Sequence, residues 1–210
     1  MSSSRSVIIA GATGLVGDEL LHQLLGDPDV SHIHVVTRRP IQIVSEKIIV
    51  HQSSDLSVTH WQPQWPVPLQ GYIALGTTRK DAGSRKALEA VDYHLVVKVA
   101  RMMAVVGVKH LAVVSSMLSH PWSPSHYLRC KGKMEQALGE MGFERLLVAR
   151  PGPLLGDRSQ QEAMNSGCNV SCPCFPLSLA DHWQILNRWK RYASPGRWLQ
   201  HCPNPSGLGG

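Results

Sequence analysis

The 210-residue sequence has no run approaching the roughly 18 apolar residues of a membrane span. Its opening, MSSSRSV, enters an apolar stretch without the longer hydrophobic core of a secretory signal. No membrane association and a cytoplasmic location are therefore expected. There is also no concentrated basic tract. The 21 basic and 15 acidic residues leave a formal charge of +6, but the positives are scattered as Arg38–Arg39, Arg79–Lys80, Arg85–Lys86 and Lys131 with Lys133. Counterion release along a nucleic acid needs several phosphate contacts on one face, so this distribution argues against a nucleic-acid partner and suits a steered anionic small molecule. Five cysteines, four of them in the last 43 residues, do not make a disulfide framework.

What the chain does have is alternation. Through residue 157, apolar runs alternate with segments of helical period, which predicts βαβ units, a doubly wound parallel α/β sheet of Rossmann type, and a single domain. Strands are expected at Val7–Ala10, Ile33–Thr37, Lys47–His51, Gly71–Leu75, His110–Ser115 and Arg145–Arg150. Helices are expected at Leu15–Leu25, Ser84–Val106 and Leu128–Met141. Small or polar residues follow each strand, and ligands of open α/β sheets sit beyond those ends. The stretch HWQPQWPVPLQ (His60–Gln70), with three prolines and two tryptophans, cannot continue a helix and is expected to be a surface connection.

After the first strand comes GATGLVG, with Gly11, Gly14 and Gly17 spaced by two residues each. Glycine at a strand-to-helix turn adopts positive φ and lets a phosphate approach the backbone, while the helix start offers unpaired N–H groups. A dinucleotide pyrophosphate is one reading. The other is a tight turn in which Gly17 serves only helix–strand packing, since the spacing departs from G-x-G-x-x-G. At the end of the second strand stand Thr37, Arg38 and Arg39 with no acid, so Arg38 favours a 2′-phosphate and hence NADP(H) over NAD(H), unless both arginines are simply solvated. Asp55, after the third strand, either accepts from an adenine amino group or is a loop aspartate.

Tyr127 and Lys131 are four apart in YLRCKGKMEQAL and share a helix face. A neighbouring ammonium favours the phenolate, so the pair can act as an acid/base, and Ser115 or Ser116 at the end of HLAVVSS could hold a substrate oxygen.

The ordered pieces GATGLVG, TRRP, ALGTTRKDAGS, VDY, VVSSM, YLRCKGKMEQAL and RPGPLLGDRSQ span Val7 to about Gln160. In these the chain resembles the atypical short-chain dehydrogenase/reductases, in the small branch that includes bacterial NAD(P)-binding oxidoreductases and the Tat-interacting NADPH-binding protein. The resemblance implies an NADP(H)-dependent oxidoreductase acting on a carbonyl or hydroxyl of a small molecule. Gly11, Thr13, Gly14 and Val16 would line the pyrophosphate turn, Arg38 would lie near the 2′-phosphate, and Leu75, Gly76 and Thr77 would lie under the adenosine ribose. Tyr127 would be the acid/base, Lys131 would hold the nicotinamide ribose, Ser115 in preference to Ser116 would orient substrate, and Pro151, Gly152 and Pro153 would cover the nicotinamide. A non-catalytic NADPH-binding regulatory module and an isomerase or epimerase that retains its cofactor are the competing functions. Oligomeric state is left open.

The resemblance stops after Asn165, which divides the chain into a binding domain (1–165) and an atypical tail (166–210). The tail has one acid in 45 residues, with four cysteines and three tryptophans. Cys168, Cys172 and Cys174, with His182 or His201, match no usual zinc spacing, and no metal is expected there. A frameshift covers more of the pattern. Cysteine and tryptophan codons both begin TG, and restoring one base before Ser166 turns all seven into codons for leucine, valine or methionine. With permitted third bases, Ser166–Leu177 then reads EWLQRVLPVFSP and Ile185–Cys202 reads DPEPVEAIRVARAMAAAL, an amphipathic pattern. Sequencing the genomic locus across the Asn165 codon distinguishes the two.

Overall fold

The computed structural model describes residues 5–77 and 82–151. The tail, and with it the frameshift and cysteine readings, lies outside the described residues, as do Thr78, Arg79, Lys80, Asp81, Gly152 and Pro153.

Apolar, β-branched runs form six strands: β1 (Arg5–Ala10), β2 (Val30–Thr37), β3 (Ile48–Gln52), β4 (Gln70–Ile73), β5 (His110–Val114) and β6 (Arg145–Ala149). They make one sheet in the order β3-β2-β1-β4-β5-β6, with every pairing parallel. This is the doubly wound Rossmann order expected from the alternation. A parallel sheet covered on both faces needs strands that are apolar throughout, and Val7, Ile8, Ile9 and Ala10 of β1 are all fully buried.

Helix α1 (Leu15–Gly26) starts at the glycine turn and buries Leu20, Leu21 and Leu24, while Asp18 in its first turn complements the helix dipole. A second helical stretch runs as α2 (Arg85–Glu89), a π-helical segment (Ala90–Leu95) and α3 (Val96–Val106). The expected single helix over Ser84–Val106 is therefore interrupted. The π segment carries Asp92 into full burial, and such irregular turns cluster at functional sites. Helix α4 (His126–Gly139) begins two residues earlier than expected, which puts Tyr127 inside it. The core between sheet and helices is built by Ile8, Ile73, Val99, Met103, Leu111 and Met134.

The His60–Gln70 connection is not merely a surface strap. Trp61 stacks on His34 with centroids 4.5 Å apart, and Trp65 meets His51 edge-on at 5.2 Å. The two histidines, on β2 and β3, are themselves linked by a hydrogen bond of 2.9 Å between His34 Nδ1 and His51 Nε2. The prolines stop a helix, but the tryptophans give this segment a face to bury.

Candidate functional site

The sheet reverses its strand order between β1 and β4, and the loops after those two strands flank one crevice. On the β1 side, Gly11 has φ +90°, and a Cβ there would stand 2.6 Å from the Ala74 carbonyl oxygen. Gly17 is equally constrained, since its Cβ would overlap the Gly11 carbonyl. Between them the Gly14 N–H donates to Gly11 O at 3.1 Å, and Gly14 O accepts from Asp18 N at 2.8 Å, which opens α1.

Gly14 itself is different. Its φ of −88° and ψ of 165° suit any residue, and the nearest atom to an added Cβ is 3.5 Å away. The protein's own packing does not need glycine there. What the missing side chain does is leave the start of α1 bare, with no side-chain cap on its N–H groups. Thr13 is exposed and Val16 half-buried beside it. A diphosphate fits this cradle, because it would fill the space that a Cβ at Gly14 would occupy and would satisfy the uncapped donors.

At the end of β2, Thr37 is buried and its hydroxyl caps the turn, donating to Arg39 O at 2.7 Å and accepting from Arg39 N at 3.2 Å. This turn leaves Arg38 and Arg39 exposed. Asp55, expected either at an adenine amino group or as a loop aspartate, is engaged by the protein's own donors. Its carboxylate accepts from Ser53 and Ser57 at 2.5 and 2.7 Å and pairs with Lys98 of α3 at 2.5 Å. The hydrogen bond from Lys98, with those from the two serines, holds its acidity well above that of an ordinary carboxyl. Asp55 is thus a loop carboxylate that ties the turn after β3 to α3.

Under the loop after β4 lies a charged pair. Lys131 and Asp92 have side chains 3% and 0% exposed, and the ammonium stands 2.8 Å from Asp92 Oδ1, close enough for an ion pair though not aligned as a hydrogen bond. Lys131 Nζ also reaches the carbonyls of Leu75 and Val114 at 3.5 and 3.4 Å, and Asp92 Oδ2 accepts from Thr77 N at 3.2 Å. The pair therefore pins α4 and the π segment to the ends of β4 and β5. Leu75, Gly76 and Thr77, expected under a ribose, form the roof of this pair. In the sequence Asp92 belongs to the piece VDY, an acid inside the apolar stretch AVDYHLVV to which the resemblance assigns no role. A lone carboxylate in such a run has to be buried with a cation, which is the signal that would have found it.

Tyr127 is half-buried, one turn before Lys131 on the same face of α4. Glu135, one turn after Lys131, continues that face and was also missed. It accepts from Ser115 Oγ and, at 2.5 Å, from Ser119 Oγ, and forms a two-pronged pair with Arg150. Burial alone would push the Glu135 carboxyl up, but the hydrogen bonds from Arg150, Ser115 and Ser119 outweigh it and hold the group below its ordinary value. Ser115, expected to orient substrate, is therefore engaged inside the protein. Ser115 is 3% exposed and its hydrogen is given to Glu135. Ser116 is half-buried and, among the described residues, has no side-chain hydrogen bond. Pro151 is buried and its carbonyl accepts from Met117 N at 3.0 Å, so the turn after β6 is fastened to the loop after β5.

Solved structures share this architecture. The PhqB reductase domain from Penicillium fellutanum superposes with a TM-score of 0.56 at 20% identity, over 73% of this chain and 50% of that one. The human epimerase family protein SDR39U1 with NADPH gives a TM-score of 0.55 at 16% identity, over 76% and 58%. The chain thus spans about half to three-fifths of the length of these structures, and the likeness shows the Rossmann-like fold. A family model described as HIM1 matches residues 72–174. Among curated proteins, FMP52 of Coccidioides immitis is 33% identical over 77% of this chain and 71% of its own length. FMP52 of Candida albicans is 31% identical over 95% and 81%. Both are named mitochondrial, which overturns the expected cytoplasmic location. The lack of a long apolar run bears on secretion and membrane spanning, and carries no information about a mitochondrion. The sequence aligns at length with these fungal relatives, and the chain belongs to the FMP52 family.

Proposed function

We propose that the protein is a nicotinamide-dinucleotide-dependent oxidoreductase, with NADP(H) preferred, acting on a carbonyl or hydroxyl of a small molecule and not on nucleic acid. The observation that carries this reading is the uncapped start of α1 at the strand-order reversal, where Gly14 is bare for no reason internal to the fold. Gly11, Thr13 and Gly14 would hold the diphosphate, and Val16 and Gly17 would keep α1 close beneath it. Arg38, exposed at the end of β2 with no acid beside it, is the residue that would meet a 2′-phosphate. When bound, the nicotinamide supplies the hydride donor or acceptor.

The chain's own groups then move the proton. Tyr127, half-buried at the crevice end of α4, gives or takes it at its phenol oxygen. Lys131 holds positive charge at the floor, and can take a ribose hydroxyl by releasing the Leu75 or Val114 carbonyl, both at distances long for a charged hydrogen bond. Ser116, with Ser115 committed to Glu135, is the hydroxyl that would steady the substrate oxygen.

A second reading, cofactor binding without turnover, has its own support: Lys131 and Ser115 are both held by internal partners. Titration with NADPH and NADH, followed by a panel of carbonyl substrates, separates the two. Tyr127→Phe is expected to lower turnover by roughly 100-fold or more while leaving NADPH affinity within about twofold. Undiminished turnover in that variant would remove Tyr127 from the mechanism, and tight NADPH binding with no turnover on any carbonyl would favour the binding module.

A further inference from the structure

On the flank of α4 turned toward α2, three unlike ligating groups converge. His126 and Cys130 are one turn apart on α4, and Glu89 is the last residue of α2. Their ligating atoms all lie within 4.8 Å of one another. His126 Nε2 is 3.6 Å from Cys130 Sγ and 3.9 Å from Glu89 Oε2, and the Arg85 carbonyl oxygen is 3.1 Å from the same nitrogen. Around a tetrahedral zinc ion, bond lengths of about 2.0 Å to nitrogen and oxygen and 2.3 Å to sulfur put nitrogen about 3.5 Å from sulfur and about 3.3 Å from oxygen. The 3.6 Å nitrogen–sulfur separation matches that geometry closely, and the 3.9 Å nitrogen–oxygen separation needs the half-exposed Glu89 side chain to close by about 0.6 Å.

From this convergence of His126, Cys130 and Glu89 we propose a zinc site that fastens α2 to α4, with the Arg85 carbonyl or a water completing the coordination. A thiolate, an imidazole and a carboxylate select a borderline-soft divalent ion over calcium or magnesium. Binding neutralises the cluster: the Cys130 thiol releases its proton, and two anionic ligands balance the charge of the ion. Nδ1 of His126 faces Arg129 Nη2 at 3.4 Å, while Arg129 Nη1 is held by the Ser123 and Pro124 carbonyls at 2.6 and 3.3 Å. The metal-bound tautomer, with its proton on Nδ1, requires that the Nη2 contact and the Nε2–H bond to the Arg85 carbonyl both be given up. The site does not depend on the proposed reaction. It does share its helix with the acid/base pair, since Tyr127 follows His126 and Lys131 follows Cys130 in the chain.

Cobalt(II) is the probe, because a cobalt–thiolate bond gives a charge-transfer band in the near ultraviolet. Cys168, Cys172, Cys174 and Cys202 could also take a soft ion, so the titration uses the full-length chain with all four replaced by serine. The expected result is one Co(II) per chain with a thiolate band that equimolar Zn(II) abolishes. Cys130→Ser should remove the band, and Glu89→Gln, whose side chain is shape-matched and half-exposed, should weaken binding at least tenfold while leaving the thermal midpoint of the metal-free protein unchanged. Absence of a thiolate band, or a band that survives Cys130→Ser, would overturn the proposal.

Discussion

The three glycines of the opening turn do different work, and substitution separates them. At Gly17 a Cβ would run into the Gly11 carbonyl, and at a backbone contact neither partner can rotate away. Gly17→Ala should therefore cost about 2 to 3 kcal/mol, or more, of stability, read as a fall in the denaturant midpoint. Gly14→Ala meets nothing closer than 3.5 Å and should cost no more than about 0.5 to 1 kcal/mol, the difference between glycine and alanine at a helix N-cap. Its effect should fall instead on NADPH affinity, measured by titration. If Gly14→Ala binds NADPH like the parent chain, the bare helix start is not a phosphate cradle. The turn itself is legible in the sequence because glycine spacing is a backbone property. Asp92 and Glu135 were not, since their partners Lys131 and Arg150 lie 39 and 15 residues away and only the fold brings them together.

At the level of elements, the packing of the His60–Gln70 connection over β2 and β3 makes a titratable joint. His34 is fully buried, and burial together with the nearby His51 pushes its pKa down to about 4, while burial also lowers that of His51. A histidine depressed in the folded state binds its proton more readily in the unfolded chain. Its contribution is complete above the ordinary histidine value near 6.5 and is lost as pH falls toward about 4, on the order of 3 kcal/mol in all. Denaturant midpoints should drop between pH 7 and 5, and His34→Leu should flatten that slope. An unchanged midpoint over this range would mean that the pair accepts a proton without loosening Trp61. The strands and the positions of all three long helical stretches were legible in apolar periodicity. The π segment was not: its extra residue per turn answers to the burial of Asp92 against Lys131, and nothing local in AVDYHL demands it.

For the molecule as a whole, the sheet order sets where a ligand can sit and the net charge of +6 sets how an anion approaches it. Long-range attraction of this kind is screened beyond about 10 Å at 0.1 M salt. NADPH affinity should fall as salt is raised from about 0.05 to 0.5 M, and by more than NADH affinity, because the 2′-phosphate carries the extra charge. Equal salt slopes for the two cofactors would take Arg38 out of the recognition. Among the described residues no helix is long and apolar enough to cross a membrane.

Taken alone, the order of amino acids determined the parallel α/β class, the phosphate-suited turn and the shared helix face of Tyr127 and Lys131. Each of these depends on neighbours within a few turns of chain, and short-range periodicity encodes them. The folded chain decided which hydroxyl is spent on Glu135, that Asp55 answers to Lys98, that Asp92 lies beneath Lys131, and that Glu89 meets His126 and Cys130. Those are pairings between distant elements that only the fold brings together, and for Asp92 with Lys131 burial makes an unpartnered charge too costly to leave alone.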